Sequence, residues 1–385
     1  MPAQASRADR VAMYGRNKLK LGFFGPNCSS GRFVTKAPER WSGSWDDNVR
    51  LAQMADEAGI DFLLPIARWK GYGGDTDYQG ATWETITWAT GLLALTKRIT
   101  IFGTVHAALF PPLIAAKQMV TADHVGHGRF GLNLVCGWNE GEFEMFGVKP
   151  GDHDRRYRLG QEWLDVLRLI WAKDDFDFTG EFFDLKGVRE KPKPYGGTFP
   201  LTMNAGASGD GRTFALRNCD AWFTNVLLPN FLAASLDEAA KVVLAAKADA
   251  RAMGNAIGAY TVGVIVCRPT RQEAEDYYHY VADEQADWAA VDRILEMRGR
   301  TNVPPDELQA VRRHQANGMG GIPFIGSPDD VAGYLAQLSR AGFDGCGLSF
   351  VNYADEFPYF RDEVLPRLER LGLRESQKEA LKGAA

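Results

Sequence analysis

The stretch RFGLNLVCGWNEGEFEMFG, residues 129–147, changes character in its middle. Phe130 to Cys136 is short and mostly apolar, which reads as a buried strand. One residue, Asn133, interrupts it with a side-chain amide. Directly afterwards, Gly137 and Trp138 open a polar segment that carries Glu140, Glu142 and Glu144. A buried strand running into a polar loop and then a helix is the repeating unit of α/β proteins, and this one recurs along the chain.

Seven other segments have the same form: Leu19–Gly25, Phe62–Ile66, Ile99–Val105, Leu201–Ala205, Ala221–Val226, Tyr260–Cys267 and Gly345–Val351. Amphipathic stretches separate them. Asp46–Ala58 has apolar residues at helical spacing and stops at Gly59, while Pro111–Val125 opens with two prolines suited to a first turn. Trp83–Leu95, Tyr157–Trp171, Leu236–Met253 and Pro328–Ala341 complete the clearest helices. Eight strand–helix units predict a (β/α)8 TIM barrel. A doubly wound open sheet is the competing arrangement, but no GxGxxG follows the first strand, whose exit reads GFFGPNCSSGRF, and no Walker A pattern occurs. The expected organisation is an N-terminal arm over 1–18, a single barrel over 19–375 and a C-terminal tail over 376–385. Two stretches exceed what a barrel needs, 137–156 and 284–326, the second containing NGMGGIPFIG. Long excursions of this kind are expected at the carboxyl face as covers of an active site.

The 385 residues are 45% hydrophobic and 24% charged, with a net charge of −5 and no dense basic run. That balance suits a globular protein and argues against a nucleic-acid partner. The five cysteines are scattered, without a CxxC, so neither a disulfide framework nor a zinc ribbon is expected, and a cytoplasmic setting fits. No apolar run reaches the roughly 18 residues of a membrane span, and residues 1–18 lack a signal-peptide core.

In a barrel, function resides at the carboxyl ends of the strands. Asn133 lies there, as does Thr104 in the neighbouring strand; each alone could simply bond backbone, but two polar side chains at equivalent places can converge on one ligand atom. His106 follows Thr104 by two and faces the same side, where it would touch substrate or bond a carbonyl. Arg155 and Arg156 could be a solvated helix start paired with Asp152 or Asp154, or could offer charge to a phosphate at a helix N-terminus. His124 and His127 have the form HxxH without a carboxylate at metalloprotease spacing, so no metal site is expected; Ser29 and Ser30 lack a nucleophile elbow.

The segments RWKGYGGDT (68–76), GTVHAALFPP (103–112), GHGRFGLNLVCGWNEGEFEMFG (126–147), HDRRY (153–157) and NAGASGDGR (204–212) together resemble the bacterial-luciferase-like flavin monooxygenases, particularly their pyrimidine-ring-opening and sulfone-oxidising members. The resemblance runs from about residue 19 to about residue 226 and more loosely beyond. It implies a barrel that binds reduced FMN non-covalently and uses O2. By position it implies FMN contacts from Ala67, Arg68, Asn133, Glu142, Arg156, Tyr157 and Ser208, and an oxygen pocket formed by Leu64, Thr104 and Asn133.

The resemblance further implies a two-component monooxygenase supplied with FMNH2 by a separate NAD(P)H:flavin reductase. It would cleave a C–N, C–S or C–halogen bond of a small substrate through a flavin N5-peroxide. A C4a-peroxide acting on a sulfone or alkanesulfonate, a non-catalytic flavin-binding barrel and an F420-dependent oxidoreductase are the alternatives. Phe24, Trp69, His106 and Trp138 are expected to line the substrate pocket, and a homodimer or homotetramer is the expected assembly.

Overall fold

Each of the eight apolar segments forms a strand. They are β1 (Lys20–Phe24), β2 (Phe62–Leu64), β3 (Thr100–His106), β4 (Phe130–Val135), β7 (Leu201–Asn204), β8 (Ala221–Phe223), β9 (Gly258–Cys267) and β11 (Gly345–Ser349). Three more strands lie outside that set: an antiparallel hairpin, β5 (Phe176–Thr179) with β6 (Asp184–Val188), and β10 (Ile322–Gly326). The structure, a computed structural model, describes residues 11–149, 151–207, 209–224, 233–300 and 303–375, with the backbone alone at 233–235. The first ten residues of the expected arm, Ser208, the end of the expected strand at Asn225 and Val226, and the tail 376–385 lie outside the described residues.

The chain divides into two compact units. One holds residues 84–224 together with 11–15 and 246–258, and contains β3, β4, β7 and β8 as parallel neighbours in that order. The other holds 16–83, 233–245 and 259–375, where β1 lies between β2 and β11, and β9 pairs with both β11 and β10. In chain order, β1, β2, β3, β4, β7, β8, β9 and β11 are the strands of a (β/α)8 barrel, with β10 as an addition beside β9.

The strands fit because small residues face large ones. Gly22 is in register with Phe62, Gly131 with Phe102 and Gly345 with Tyr260. A Cβ at any of these glycines would lie within 2.6 Å of the facing ring, so the strand interior accepts no larger side chain there. The intervening helices are α1 (Trp45–Glu57), α2 (Thr85–Leu95), α3 (Pro112–Val125), α4 (Glu140–Met145), α5 (His153–Ala172), α6 (Gly209–Asn218) and α7 (Ala233–Ala252). Then come α8 (Arg271–His279), α9 (Trp288–Met297), α10 (Pro305–Ala316), α11 (Pro328–Arg340), α12 (Tyr353–Tyr359) and α13 (Leu365–Arg370). Several starts are capped: Ser44 takes the Asp47 amide, Glu84 the Ile86 and Thr87 amides, and Asp152 the Arg155 amide.

The two long excursions are structured. Residues 137–156 contain α4 and the first turn of α5, and 284–326 contain α9, α10 and β10. The described end of the arm packs down, with Val11 and Met13 buried and the Tyr14 hydroxyl donating to Asp220 at 2.8 Å. No helix of the described residues is long and apolar enough to cross a membrane. All five cysteines are buried thiols.

Candidate active site

In the first unit, register sets Thr104 of β3 directly opposite Asn133 of β4. Asn133 Nδ2 donates to Thr104 Oγ1 at 3.2 Å, and the two residues are 8% and 4% exposed. The other half of the amide, Asn133 Oδ1, is buried and has no hydrogen-bond partner. Leaving such an acceptor unmade costs about 1–3 kcal/mol. A group supplied from outside the chain would remove that cost. Behind the pair, Thr85 Oγ1 donates to the Thr104 carbonyl at 2.6 Å and fixes the strand. His106, at the end of β3, is buried with its ring edge-on to Phe143, 6.0 Å away.

After β4 the chain turns at Gly137, φ +104°, where a Cβ would lie 2.3 Å from the Phe143 ring. The turn carries Trp138 outward to 44% exposure and leads to α4, on which Glu142 is buried. At the start of α5, Arg155 lies 5.1 Å over the Phe182 ring rather than pairing with Asp152, whose carboxylate caps the helix. Arg156 Nε is buried without a partner. Tyr157 packs against Phe214, and its hydroxyl would be 2.5 Å from a Cβ at Gly211. Burial pushes the Tyr157 hydroxyl and the Cys136 thiol each up to about 12, against the opposing charge of Arg156. Both are therefore neutral at pH 7: Tyr157 is a hydrogen-bond donor, and Cys136 is no nucleophile.

The small-residue turn after β7 is held from within. Asn204 Nδ2 donates to the Leu134 carbonyl (2.7 Å), Asn204 Oδ1 accepts the Gly206 amide (2.8 Å), and Trp222 Nε1 donates to the Gly206 carbonyl (2.7 Å). A Cβ at Gly206 would strike the Gly211 backbone at 2.1 Å, so the turn closes only with glycine. Ser208, expected in this turn, is outside the described residues.

In the second unit, Leu64 ends β2, buried, and its carbonyl accepts the Gly25 amide at 2.9 Å. Asn27 brackets the strand exit: Oδ1 accepts the Ile66 amide and Nδ2 donates to the Ile66 carbonyl, both at 2.8 Å. Ala67, Arg68 and Trp69 come next, all half-buried, with the Arg68 guanidinium 4.6 Å over the Tyr72 ring. Phe24 ends β1, half-buried beneath the Arg32 guanidinium at 4.5 Å.

The structure thus joins Thr104 to Asn133 directly, and places Arg156 and Tyr157 together on α5. Asn27, Asn204 and Arg32 are additions that sequence reasoning does not single out. Asn204 opens NAGASGDGR, and Asn27 is a polar residue straight after a strand, so the sequence carries a signal for both. His124 and His127 flank the Tyr195 ring edge-on at 5.6 Å each, a packing role. Among the described residues, His153, Asp154 and Asp210 bring ligand atoms within 4.8 Å of one another, all exposed.

The orphaned Asn133 acceptor fits a hydrogen-bond donor on a buried ligand, and Arg156 fits an anionic group near a helix N-terminus. A flat amphipathic ring bearing a phosphate, such as a flavin mononucleotide, matches that donor set.

Residues 19–345 match the family described as luciferase-like monooxygenase. The chain is 30% identical over 361 residues to the FMNH2-dependent dimethylsulfone monooxygenase of Pseudomonas fluorescens, covering 92% of this chain and 95% of that one. It is 29% identical over 362 residues to the pyrimidine monooxygenase RutA of Escherichia coli, covering 92% of each. The crystal structure of DmoA from Hyphomicrobium sulfonivorans superposes with a TM-score of 0.82 at 17% identity, covering 92% of this chain and 89% of that one.

Proposed function

The chain belongs to the luciferase-like monooxygenase family, and from that premise we propose that it takes reduced FMN from a separate NAD(P)H-dependent reductase and uses O2 to cleave a C–N, C–S or C–halogen bond of a small organic substrate. The observation that carries the reading is the buried Thr104–Asn133 pair with its unmade Oδ1 acceptor. A pair serving only the fold would satisfy both halves of the amide.

Bound FMNH2 supplies the electrons that activate O2 for transfer of one oxygen atom. The chain's own residues supply position and dryness. Asn133 offers its Oδ1 to the ring edge, while its Nδ2 bond orients the Thr104 hydroxyl toward the same buried space. Leu64 gives an apolar wall to the oxygen pocket. Ala67, Arg68 and Glu142 complete the ring's surroundings. Arg156 and the neutral Tyr157 hydroxyl, with Ser208, hold the phosphate. His106, Phe24, Trp69 and Trp138 line the substrate side, and burial of the pair excludes water from the reaction. Neither Tyr157 nor Cys136 is poised as a base, since both stay protonated at neutral pH.

The two relatives are named for a sulfone and a pyrimidine at nearly equal identity, so both chemistries belong in the substrate panel. The enzyme works in the cytoplasm as a homodimer or homotetramer in this reading; exposed Leu95 and Ile114, on α2 and α3, offer apolar surface for such an interface. Thr104→Ala tests the oxygen pocket. FMN affinity stays within a few-fold while product formed per FMNH2 oxidised falls; unchanged coupling in that variant removes Thr104 from the mechanism.

A further inference from the structure

Three arginines of the described residues are buried, and two of them are saturated. Arg129 donates to Thr96 Oγ1 and to the carbonyls of Ile99, Leu93 and Thr96. Arg374 donates to Asp61 and to the Leu19 and Gly59 carbonyls. Those are structural guanidinium groups, each with its positive charge spread over several acceptors.

Arg32 differs. It is 7% exposed, donates one nitrogen to the Gly318 carbonyl at 2.5 Å, and lies over the Phe24 ring, while its Nε is buried with no partner. The ionisable groups that act on it most strongly are Tyr78, Tyr353, Tyr72 and Cys28, and it makes no ion pair with a described carboxylate. Burial raises Tyr78 and Tyr353, so both are neutral and neither offsets the charge. An uncompensated buried guanidinium is a costly arrangement for a fold to keep without a ligand.

The turn that Arg32 touches carries more unmade polar groups. Gly318 belongs to the NGMGG stretch after α10. Beside it, His314 Nε2 and Gln315 Nε2 are both buried without partners. His314 Nε2 lies 3.2 Å from the position of a Cβ on Gly320, and the Gln315 carbonyl accepts the Met319 amide at 3.1 Å, so both side chains spring from this same turn. Gln315 Oε1 accepts from Arg298 Nη1 at 3.0 Å. Arg298 is exposed, and the positive charges of Arg32 and Arg300 act on it. Cations gathered without a counter-charge, beside two unmade side-chain nitrogens, are what an oxyanion completes. The place is also right: Phe24, under Arg32, is the last residue of β1, and barrel sites lie at the carboxyl ends of strands.

We propose that Arg32, with His314 and Gln315 beside it and Arg298 at the rim, recognises the carboxylate or sulfonate group of a small organic anion whose apolar part rests on Phe24. That this anion is the substrate rests on the oxygenase reading; that the site binds anions does not. The substrate class narrows accordingly from neutral heterocycles and sulfones to acids.

The test titrates the purified apo protein with methanesulfonate, acetate and neutral dimethylsulfone at constant ionic strength set by potassium chloride. Binding is monitored by tryptophan fluorescence and thermal shift. At least one oxyanion binds saturably and the neutral sulfone does not. Arg32→Met weakens that anion by about tenfold or more, the loss of a charge-assisted bond. Arg32→Lys, which keeps the charge, and Arg298→Gln, which removes the rim cation and its bond to Gln315, each weaken it by a few-fold, so the site stays testable should Arg32→Met fail to fold. FMNH2 affinity in all three variants remains within a few-fold of the parent. Oxyanion binding that no variant alters, or that neutral dimethylsulfone equals, overturns the site. Wild-type protein that binds the oxyanion but not FMNH2 keeps the anion site and removes the oxygenase reading alone.

Discussion

A strand interior favours apolar side chains, yet Asn133 holds an amide there at 8% exposure with its Oδ1 unused. Stability and ligand binding therefore pull in opposite directions at this position. Asn133→Leu removes the orphaned acceptor at similar volume, so the apo protein unfolds in urea at the same or a higher midpoint, by up to about 1–2 kcal/mol. Turnover with FMNH2 falls about tenfold or more, the value of at least one hydrogen bond to a bound group. A destabilised but fully active variant would show that the amide serves the fold. The amide itself is visible in the sequence, because it breaks an apolar run, and Thr104 is found by its equivalent offset in the neighbouring strand. The unmade half of the amide is not visible, since satisfaction depends on what surrounds it. Arg32 stays hidden for the same reason: after CSSG it reads as an ordinary loop cation, and only packing reveals its burial.

At the scale of elements, α5 carries Arg156 and Tyr157, two of the three residues assigned to the phosphate, and its seating depends on one glycine. Gly160 lies on the buried face, where a Cβ would stand 2.5 Å from Cys136 Sγ just beyond β4. Alanine in a helix interior ordinarily gains about 1 kcal/mol over glycine. Overpacking a close contact costs about 1–3 kcal/mol, and here it wins. Gly160→Ala lowers stability in urea unfolding, and the double variant Gly160→Ala/Cys136→Ala recovers the loss as the clash is removed. If the single variant is stabilised instead, α5 and the β4 exit are not in close contact. The long apolar strands are legible because a buried parallel strand is a continuous apolar run. The hairpin β5–β6 is not, because its strands are only four and five residues long and mostly exposed or half-buried, so neither makes a continuous apolar run. β10 hides in IPFIG between glycine-rich and proline-bearing stretches that read as loop. The polar composition of α10, which buries only Gln315 and Ala316, likewise conceals it, whereas α9 carries Ala290, Val291, Ile294 and Leu295 at helical spacing and is legible within 284–326.

For the whole molecule, eight strand–helix units suffice to indicate the barrel, because a recurring apolar strand with a helical crossover has few ways to close. The identity of the chemistry comes from combinations of residues: RWKGYGGDT, the Thr104–Asn133 pair and HDRRY together point to a flavin, though none does alone. The substrate is the least legible part, since relatives named for a sulfone and for a pyrimidine match the chain at nearly equal identity. The most direct measurement of the flavin reading is an anaerobic titration of the purified protein with FMNH2. The loaded protein is then mixed rapidly with oxygenated buffer, in the absence and presence of a panel of pyrimidines, sulfones, sulfonates and carboxylates. Saturable FMNH2 binding is expected, together with a panel compound that changes the course of flavin oxidation and yields an oxygenated product. Protein that fails to bind FMNH2 contradicts the reading.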